Sequence, residues 1–197
     1  MPAIEKAGIH GKVLQCKNIL KKFYLADEFY AEDHNEYYVT IKSRPWNYTW
    51  FRNQDFLSYL GTKESDIRND SDLTCPNYTS PSYARFSYAP NWSNNKFWWS
   101  GFLNQSILRN RVSLSSQKIK YIENTDWHAN TWQGNPSRWY SRGEVGSNAV
   151  TYRHEDKANI IFFDGHTELR IPDNIYFNGN YSRINQLWQL KGDSFSE

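Results

Sequence analysis

Near its C-terminus the chain reads Ala158-Asn159-Ile160-Ile161-Phe162-Phe163-Asp164-Gly165-His166-Thr167-Glu168-Leu169-Arg170-Ile171, with an Asp-Gly pair between two β-prone runs. Residues 160–163 are β-branched or aromatic, and an Asp-Gly pair adopts the positive φ angles that a two-residue hairpin loop requires. The return run alternates apolar and polar side chains, so one face can be buried while the other faces water. The sequence therefore predicts an antiparallel hairpin over residues 160–171, ended by Pro172.

A long amphipathic helix is predicted at the N-terminus. Apolar side chains recur there at steps of three or four residues, which places them on one face of a helix. They are Ile9, Val13, Cys16, Leu20, Phe23, Ala26 and Tyr30. A helix from Pro2 to about Asp33 would be about 48 Å long. It is longer than a small sheet can cover, so we expect its first turns to protrude.

The middle of the chain shows weaker patterns. We predict strands over residues 37–41, 82–88, 96–102 and 118–122, and a short helix over residues 55–60 closed by Gly61. Residues 61–106 are otherwise predicted as long ordered loops, and residues 127–148 as a loop containing Trp and Gly. The fold class that follows is α+β.

Length and charge narrow the class of protein. At 197 residues one ordinary core is expected. The 23 basic and 21 acidic side chains give a net charge of +2, which offers no electrostatic basis for binding nucleic acid. The chain contains no run of the roughly 18 to 20 apolar residues that a membrane helix needs.

The sequence resembles a known bacterial family. In residues 152–168, His154 is followed by nine residues and then by Asp164-Gly165, which is similar to the signature of prepilin-type processing-associated H-x(9)-DG proteins. Earlier segments of the chain are similar to the same family. They are residues 1–7, 16–22 and 30–35 and the mid-chain Cys75-Pro76. These matches occur in the family's order and span most of the chain.

The resemblance implies a pseudopilin-like fold, in which a spine helix over residues 1–35 packs on an antiparallel sheet within residues 36–197, with extended loop insertions. It also implies a structural subunit of a type II secretion or type IV pilus-like assembly, with other pilin-like subunits as partners and no enzymatic activity. Family members carry an apolar helix just before the first matched segment. We therefore expect the full-length protein to be anchored in the bacterial inner membrane, with its globular domain in the periplasm or at the cell surface.

His154 and Asp164 have several possible roles. They would lie about 30 Å apart in a fully extended chain, so a catalytic pair is not expected. The favoured interpretation is structural: His154 hydrogen-bonds a loop, while Asp164 and Gly165 shape the turn. A metal or ligand role remains an alternative, but the sequence contains no nucleophile motif such as GxSxG.

Metal binding is not predicted from local spacing. The other carboxylates and histidines considered are Asp126, His128, Glu144, Glu155, Asp156 and His166. They do not form the clustered acidic loop typical of calcium sites, although calcium remains possible. The histidines lack a zinc-ligand spacing such as HxxxH, and the cysteines lack CxxC. We predict no cofactor.

Cys16 and Cys75 are the only cysteines. A periplasmic location, as the resemblance implies, would permit a disulfide between them. Two buried thiols are the alternative, because Cys16 lies on the apolar face of the predicted helix.

The aromatic content suggests a second function. Exposed rings among amide side chains are common in sugar-binding sites, which makes a surface-anchored glycan- or ligand-binding module the alternative function. The candidate aromatics are Trp98, Trp99, Trp127, Trp132 and Trp139. The competing interpretation is that these rings fill the core under long loops.

Overall fold

The structure is a computed structural model that describes residues 2–43, 48–67, 70–78, 86–91, 107–130, 133–142, 149–176 and 186–188. The helices in these ranges are α1 (Pro2–Asp33), α2 (Gln54–Leu60) and α3 (Pro136–Arg142). The strands are β1 (Lys42–Ser43), β2 (Tyr48–Thr49), β3 (Tyr88–Pro90), β4 (Ile119–Glu123), β5 (Ala158–Phe162) and β6 (Thr167–Arg170). The predicted α+β class is confirmed.

The main sheet has the order β3-β4-β5-β6, with every neighbouring pair antiparallel. Every residue of β4 and β5 is buried, because the sheet is covered on both faces. Tyr121 and Ile161 pack in the core beneath α1, whereas Ile122 and Ile160 belong to a second core that includes Trp188. Adjacent residues therefore serve opposite faces, as the period of a strand requires.

Helix α1 confirms the predicted N-terminal helix, and its apolar stripe packs into the first core. The stripe is buried from Val13 to Tyr30. Ile9, its first predicted member, is only half-buried, and the other residues between positions 4 and 12 are exposed. Among the described residues, no helix has the length and apolar character that crossing a bilayer requires.

The predicted C-terminal hairpin is present as β5 and β6, but its loop differs from the prediction. Phe162 N bonds His166 O at 3.0 Å, and Gly165 N bonds Phe162 O at 2.9 Å. The loop therefore has three residues, and within the Asp-Gly pair only Gly165 has a positive φ, of 83°. This is the arrangement of a type I turn followed by a left-handed glycine. The predicted alternation of buried and exposed side chains along β6 is wrong, since all four residues of this strand are half-buried.

The strand predicted over residues 37–41 is also wrong. Tyr37 forms an isolated bridge with Leu108, and β1 begins only at Lys42. The reason is a tertiary contact, because Val39 N donates to the Asp27 carboxylate at 2.8 Å and not to a neighbouring strand. A side chain on α1 thus replaces the strand partner.

Of the two short helices, α2 was predicted from the sequence and α3 was not. Helix α2 is confirmed, with Asn53 accepting from Phe56 N at its start and Gly61 at φ 72° at its end. Helix α3 lies within the predicted loop over residues 127–148, and its signal is Asn135-Pro136, a capping side chain followed by Pro at the first helical position. The predicted strand over residues 96–102 lies outside the described residues, as do residues 82–85.

Candidate functional site

Four buried side chains meet where α1 packs on the sheet: Cys16, Cys75, Glu123 and His154, referred to here as the Cys-His-Glu cluster. The two sulfur atoms are 3.1 Å apart. His154 Nε2 lies 3.6 Å from the Cys75 sulfur and 2.9 Å from Glu123 Oε1. The four candidate ligand atoms lie within 4.8 Å of one another, and none of the four residues is more than 2% exposed.

Each member comes from a different part of the chain. Cys16 lies on the buried face of α1, and Glu123 is the last residue of β4. Cys75 follows the short 3-10 helix Ser71–Leu73. His154 occupies the turn before β5, where the next two residues both have positive φ. The cluster therefore ties α1, β4 and two loops together.

Two asparagines orient the cluster. Asn159 donates to both Glu123 oxygens, through its backbone N at 2.8 Å and its side-chain amide at 3.3 Å. The Asn77 amide nitrogen lies 3.3 Å from His154 Nδ1 and 3.2 Å from Arg153 O. An amide N–H directed at Nδ1 favours a ring proton on Nε2, where Glu123 accepts it.

The cluster shifts the proton affinities of its members. A hydrogen bond from the Cys16 thiol lowers the pKa of Cys75 to about 6, against the effect of burial. The same bond, together with burial, raises the pKa of Cys16. Burial lowers the pKa of His154, but its contacts with Cys75 and Glu123 outweigh this and raise the pKa to about 9. The contact of the Asn77 amide with Nδ1 opposes a second ring proton, whereas the contacts of Nε2 with Glu123 and Cys75 favour one.

This geometry does not match a catalytic triad. In a triad the histidine uses one ring nitrogen for the nucleophile and the other for the orienting acid. Here the same nitrogen of His154 faces both Cys75 and Glu123. The cysteines are free thiols, and their burial leaves a substrate no approach to the sulfur.

The other end of the H-x(9)-DG motif also docks on α1. Lys21 Nζ donates to Gly165 O, and a Cβ placed on Gly165 would lie 2.9 Å from the Tyr24 ring. Asp164 Oδ1 accepts from His166 N at 3.1 Å and lies 2.6 Å from His166 Nδ1, which shapes the turn. Gly165 thus fastens the end of β5 to α1 directly, whereas His154 reaches α1 through Cys75 and its bond to Cys16. The side chain of His154 contacts the loop that holds Cys75 and Asn77, which agrees with the predicted bond to a loop, and it also bonds the strand carboxylate of Glu123.

A buried ion network adds a third attachment of α1 to the sheet. Lys120 Nζ lies 2.7 Å from Glu28 Oε1 and 3.5 Å from Asp27 Oδ2. The Tyr121 hydroxyl donates to Asp27 Oδ2 at 3.1 Å. Burial raises the pKa of Asp27, while the positive charge of Lys120 lowers it. Such a network fixes how α1 lies on β4.

The described aromatic candidates do not form an exposed shelf. Trp127 is partly buried against the first core, and Trp139 against the second. Trp98, Trp99 and Trp132 lie outside the described residues. A surface depression of about 440 Å³ has a different lining, namely Ser116, Gln117, Glu168, Leu169, Arg170, Asn174, Gln186 and Leu187.

Among the described residues, the remaining candidate carboxylates and histidines do not join the Cys-His-Glu cluster. Asp156, for example, accepts from the Tyr140 hydroxyl at 3.2 Å. Asp126 lies 3.4 Å from His128, and His166 bonds Glu168 at 3.1 Å in addition to Asp164. Glu144 lies outside the described residues. Sequence reasoning did not select Glu123 as a ligand. Its only signal was a carboxylate closing a β-prone run.

Comparisons with known proteins add no constraint on the function, because no protein-family model, no curated protein and no solved structure matches this chain.

Proposed function

We propose that this chain is a structural, pseudopilin-like subunit of a type II secretion or type IV pilus-like assembly. It acts through contacts of its N-terminal helix with other pilin-like subunits and catalyses no reaction. In this proposal the full-length protein is anchored in the bacterial inner membrane, and the globular part lies in the periplasm or at the cell surface.

The observation that carries the proposal is the exposure of the first turns of α1. From residue 4 onward, Val13 is the first buried residue of the helix, and Ile4 is 80% exposed. The nine residues from 4 to 12 span about 14 Å of helix. A helix that continues past its own core offers apolar side chains that packing between subunits would bury. The stripe from Val13 to Tyr30 cannot serve this contact, because the chain's own core already uses it.

The contacts among the segments that carry the family resemblance give further support. Cys16 on α1 donates to Cys75, which in turn contacts His154, and Gly165 meets the same helix one to two turns further on. These segments are far apart in sequence, yet they form one attachment between helix and sheet. The H-x(9)-DG motif accordingly has a structural role in this proposal, namely to seat β5 on α1.

The proposal is tested by reversing single charges on the exposed turns. Lys6→Glu and Lys12→Glu should impair secretion or filament assembly in cells and leave the melting curve of the purified protein unchanged, because exposed single charges contribute little to stability. Lys63→Glu is the matched control, since Lys63 is also exposed but lies in the turn after α2 and not on α1. Assembly that is normal in both helix variants would contradict the proposal.

The alternative glycan-binding function gains no support from Trp127 and Trp139, which pack against the cores. Saccharide binding by the purified wild-type chain, combined with normal assembly of the Lys6 and Lys12 variants, would favour that alternative over the assembly role.

A further inference from the structure

The Cys-His-Glu cluster plays no part in the subunit contacts proposed above. Its donor atoms are two sulfurs, one imidazole nitrogen and one carboxylate oxygen. Thiolate and imidazole donors in a set of four are typical of zinc sites. We propose that Cys16, Cys75, Glu123 and His154 bind one zinc ion or a similar thiolate-preferring divalent cation.

The distances fit a tetrahedral site after small movements. With metal–sulfur and metal–nitrogen bonds of about 2.3 and 2.0 Å, ligand atoms are separated by about 3.8 Å for two sulfurs and about 3.5 Å for sulfur and nitrogen. The observed separations are 3.1 Å between the sulfurs and 3.6 Å from Cys75 Sγ to His154 Nε2. These two separations lie within about 0.7 Å of the ideal values, and all four ligand atoms lie within 4.8 Å of one another.

The direction of the ring nitrogen supports a shared central atom. His154 Nε2 faces Cys75 Sγ and Glu123 Oε1 at once, and Cys16 Sγ closes the group. A divalent cation would offset the negative charges of two thiolates and a carboxylate in a fully buried site, where uncompensated charge is costly.

The neighbouring asparagines would act as the outer support of the site. Asn159 already holds both oxygens of Glu123. Binding through His154 Nε2 moves the ring proton to Nδ1, so the Asn77 amide must turn its oxygen toward that nitrogen. The Cys16 thiol proton is released at the same time.

A site with four protein ligands and no open position is structural. Its ligands are separated by 59 residues from Cys16 to Cys75 and by 79 from Cys75 to His154. The ion would therefore fasten α1 to both β4 and the turn before β5. The competing state of the same two sulfurs is a disulfide, which would leave Glu123 and His154 as an ordinary buried pair.

The test is a metal titration of the full chain, reduced and stripped of metal. Cobalt should bind with one ion per chain and show the d–d absorption of a tetrahedral complex with a thiolate charge-transfer band. Zinc should displace cobalt and raise the melting temperature. Each of the variants Cys75→Ser and His154→Gln removes one ligand. Each should therefore lose either the thiolate charge-transfer band or the binding of one ion per chain. Asn77→Asp should tighten binding, because its carboxylate accepts the Nδ1 proton.

A matched control is His128→Gln. His128 is another buried histidine beside a carboxylate, with Asp126 at 3.4 Å, and its substitution should leave the cobalt spectrum unchanged. The titration of the wild-type chain decides the matter even where a cluster variant fails to fold. Absence of one-to-one binding by the reduced wild type would overturn the proposal, as would a cobalt spectrum that is the same in Cys75→Ser. Protein purified without reductant that holds no metal, has no free thiols and stays unloaded after reduction would establish the disulfide instead.

Discussion

Replacing Gly165 by Ala should destabilise the protein more than the same change at Gly61. Both glycines have a left-handed backbone, with φ of 83° at Gly165 and 72° at Gly61. An L-residue there costs roughly 1–2 kcal/mol. A Cβ on Gly61 meets nothing within 4 Å, whereas a Cβ on Gly165 lies 2.9 Å from the Tyr24 ring. Overpacking adds about 1–3 kcal/mol, so Gly165→Ala should cost about 2–5 kcal/mol and Gly61→Ala about 1–2 kcal/mol.

Urea denaturation followed by circular dichroism measures both losses. With an m value of about 2 kcal/mol/M, a loss of about 3 kcal/mol lowers the midpoint by about 1.5 M. In a Tyr24→Leu background the cost of Gly165→Ala should fall to that of Gly61→Ala, because the ring that the Cβ meets has been removed. Equal losses at the two glycines in the wild-type background would refute the tight contact with Tyr24. No loss at Gly165 would refute the positive φ as well.

Three further predictions concern other contacts of the fold. Lys120→Met should cost about 3–5 kcal/mol in urea denaturation, because it leaves the buried Asp27 carboxylate without its cation. Arg52→Met in the exposed pair with Glu64 should cost less than about 1 kcal/mol, and similar losses in the two variants would contradict the buried network. Burial raises the pKa of Asp164, but the hydrogen bonds and charge of His166 lower it overall. Ionised Asp164 therefore stabilises the fold above about pH 4, and this contribution is lost as the pH falls through the lowered pKa. Asp164→Asn should therefore be less stable than wild type at neutral pH, with a gap that closes on acidification; a gap independent of pH would count against the contact. Oxidation of the metal-free chain should remove both thiols from a free-thiol titration of the denatured protein, because the sulfurs are 3.1 Å apart; two remaining thiols would show that the pair cannot close.

Sequence patterns predicted the elements whose signals are local. The apolar spacing of α1, the glycine that ends α2 and the β-prone run of β4 each lie within one segment and were confirmed. The strand over residues 37–41 failed because its polar backbone groups find tertiary partners: Val39 N bonds Asp27, and Tyr38 N bonds Ile107 O. Strand propensity could not anticipate a carboxylate on α1.

The Cys-His-Glu cluster could not be predicted for a related reason. Spacing rules for metal sites detect ligands that share one helix or loop, as in HxxxH. These four ligands come from four segments, and Glu123 and His154 are 31 residues apart. Only the packing of α1 across β4 and β5 brings them together, and that packing depends on the register that the hairpin and the Lys120 network impose.

The attachment of the first helix to one of the last strands has a consequence during synthesis. Lys21 bonds a residue 144 positions later in the chain, and Glu28 bonds one 92 positions later. At about 5–20 residues per second, the ribosome needs about 7–26 s to extend the chain from the end of α1 to Gly165. During that interval the apolar stripe of α1 has no sheet to cover it. Folding of this chain should therefore be slow, since the contacts that seat α1 on the sheet require the closure of long loops, and the emerging helix should bind chaperones until the C-terminal hairpin is complete.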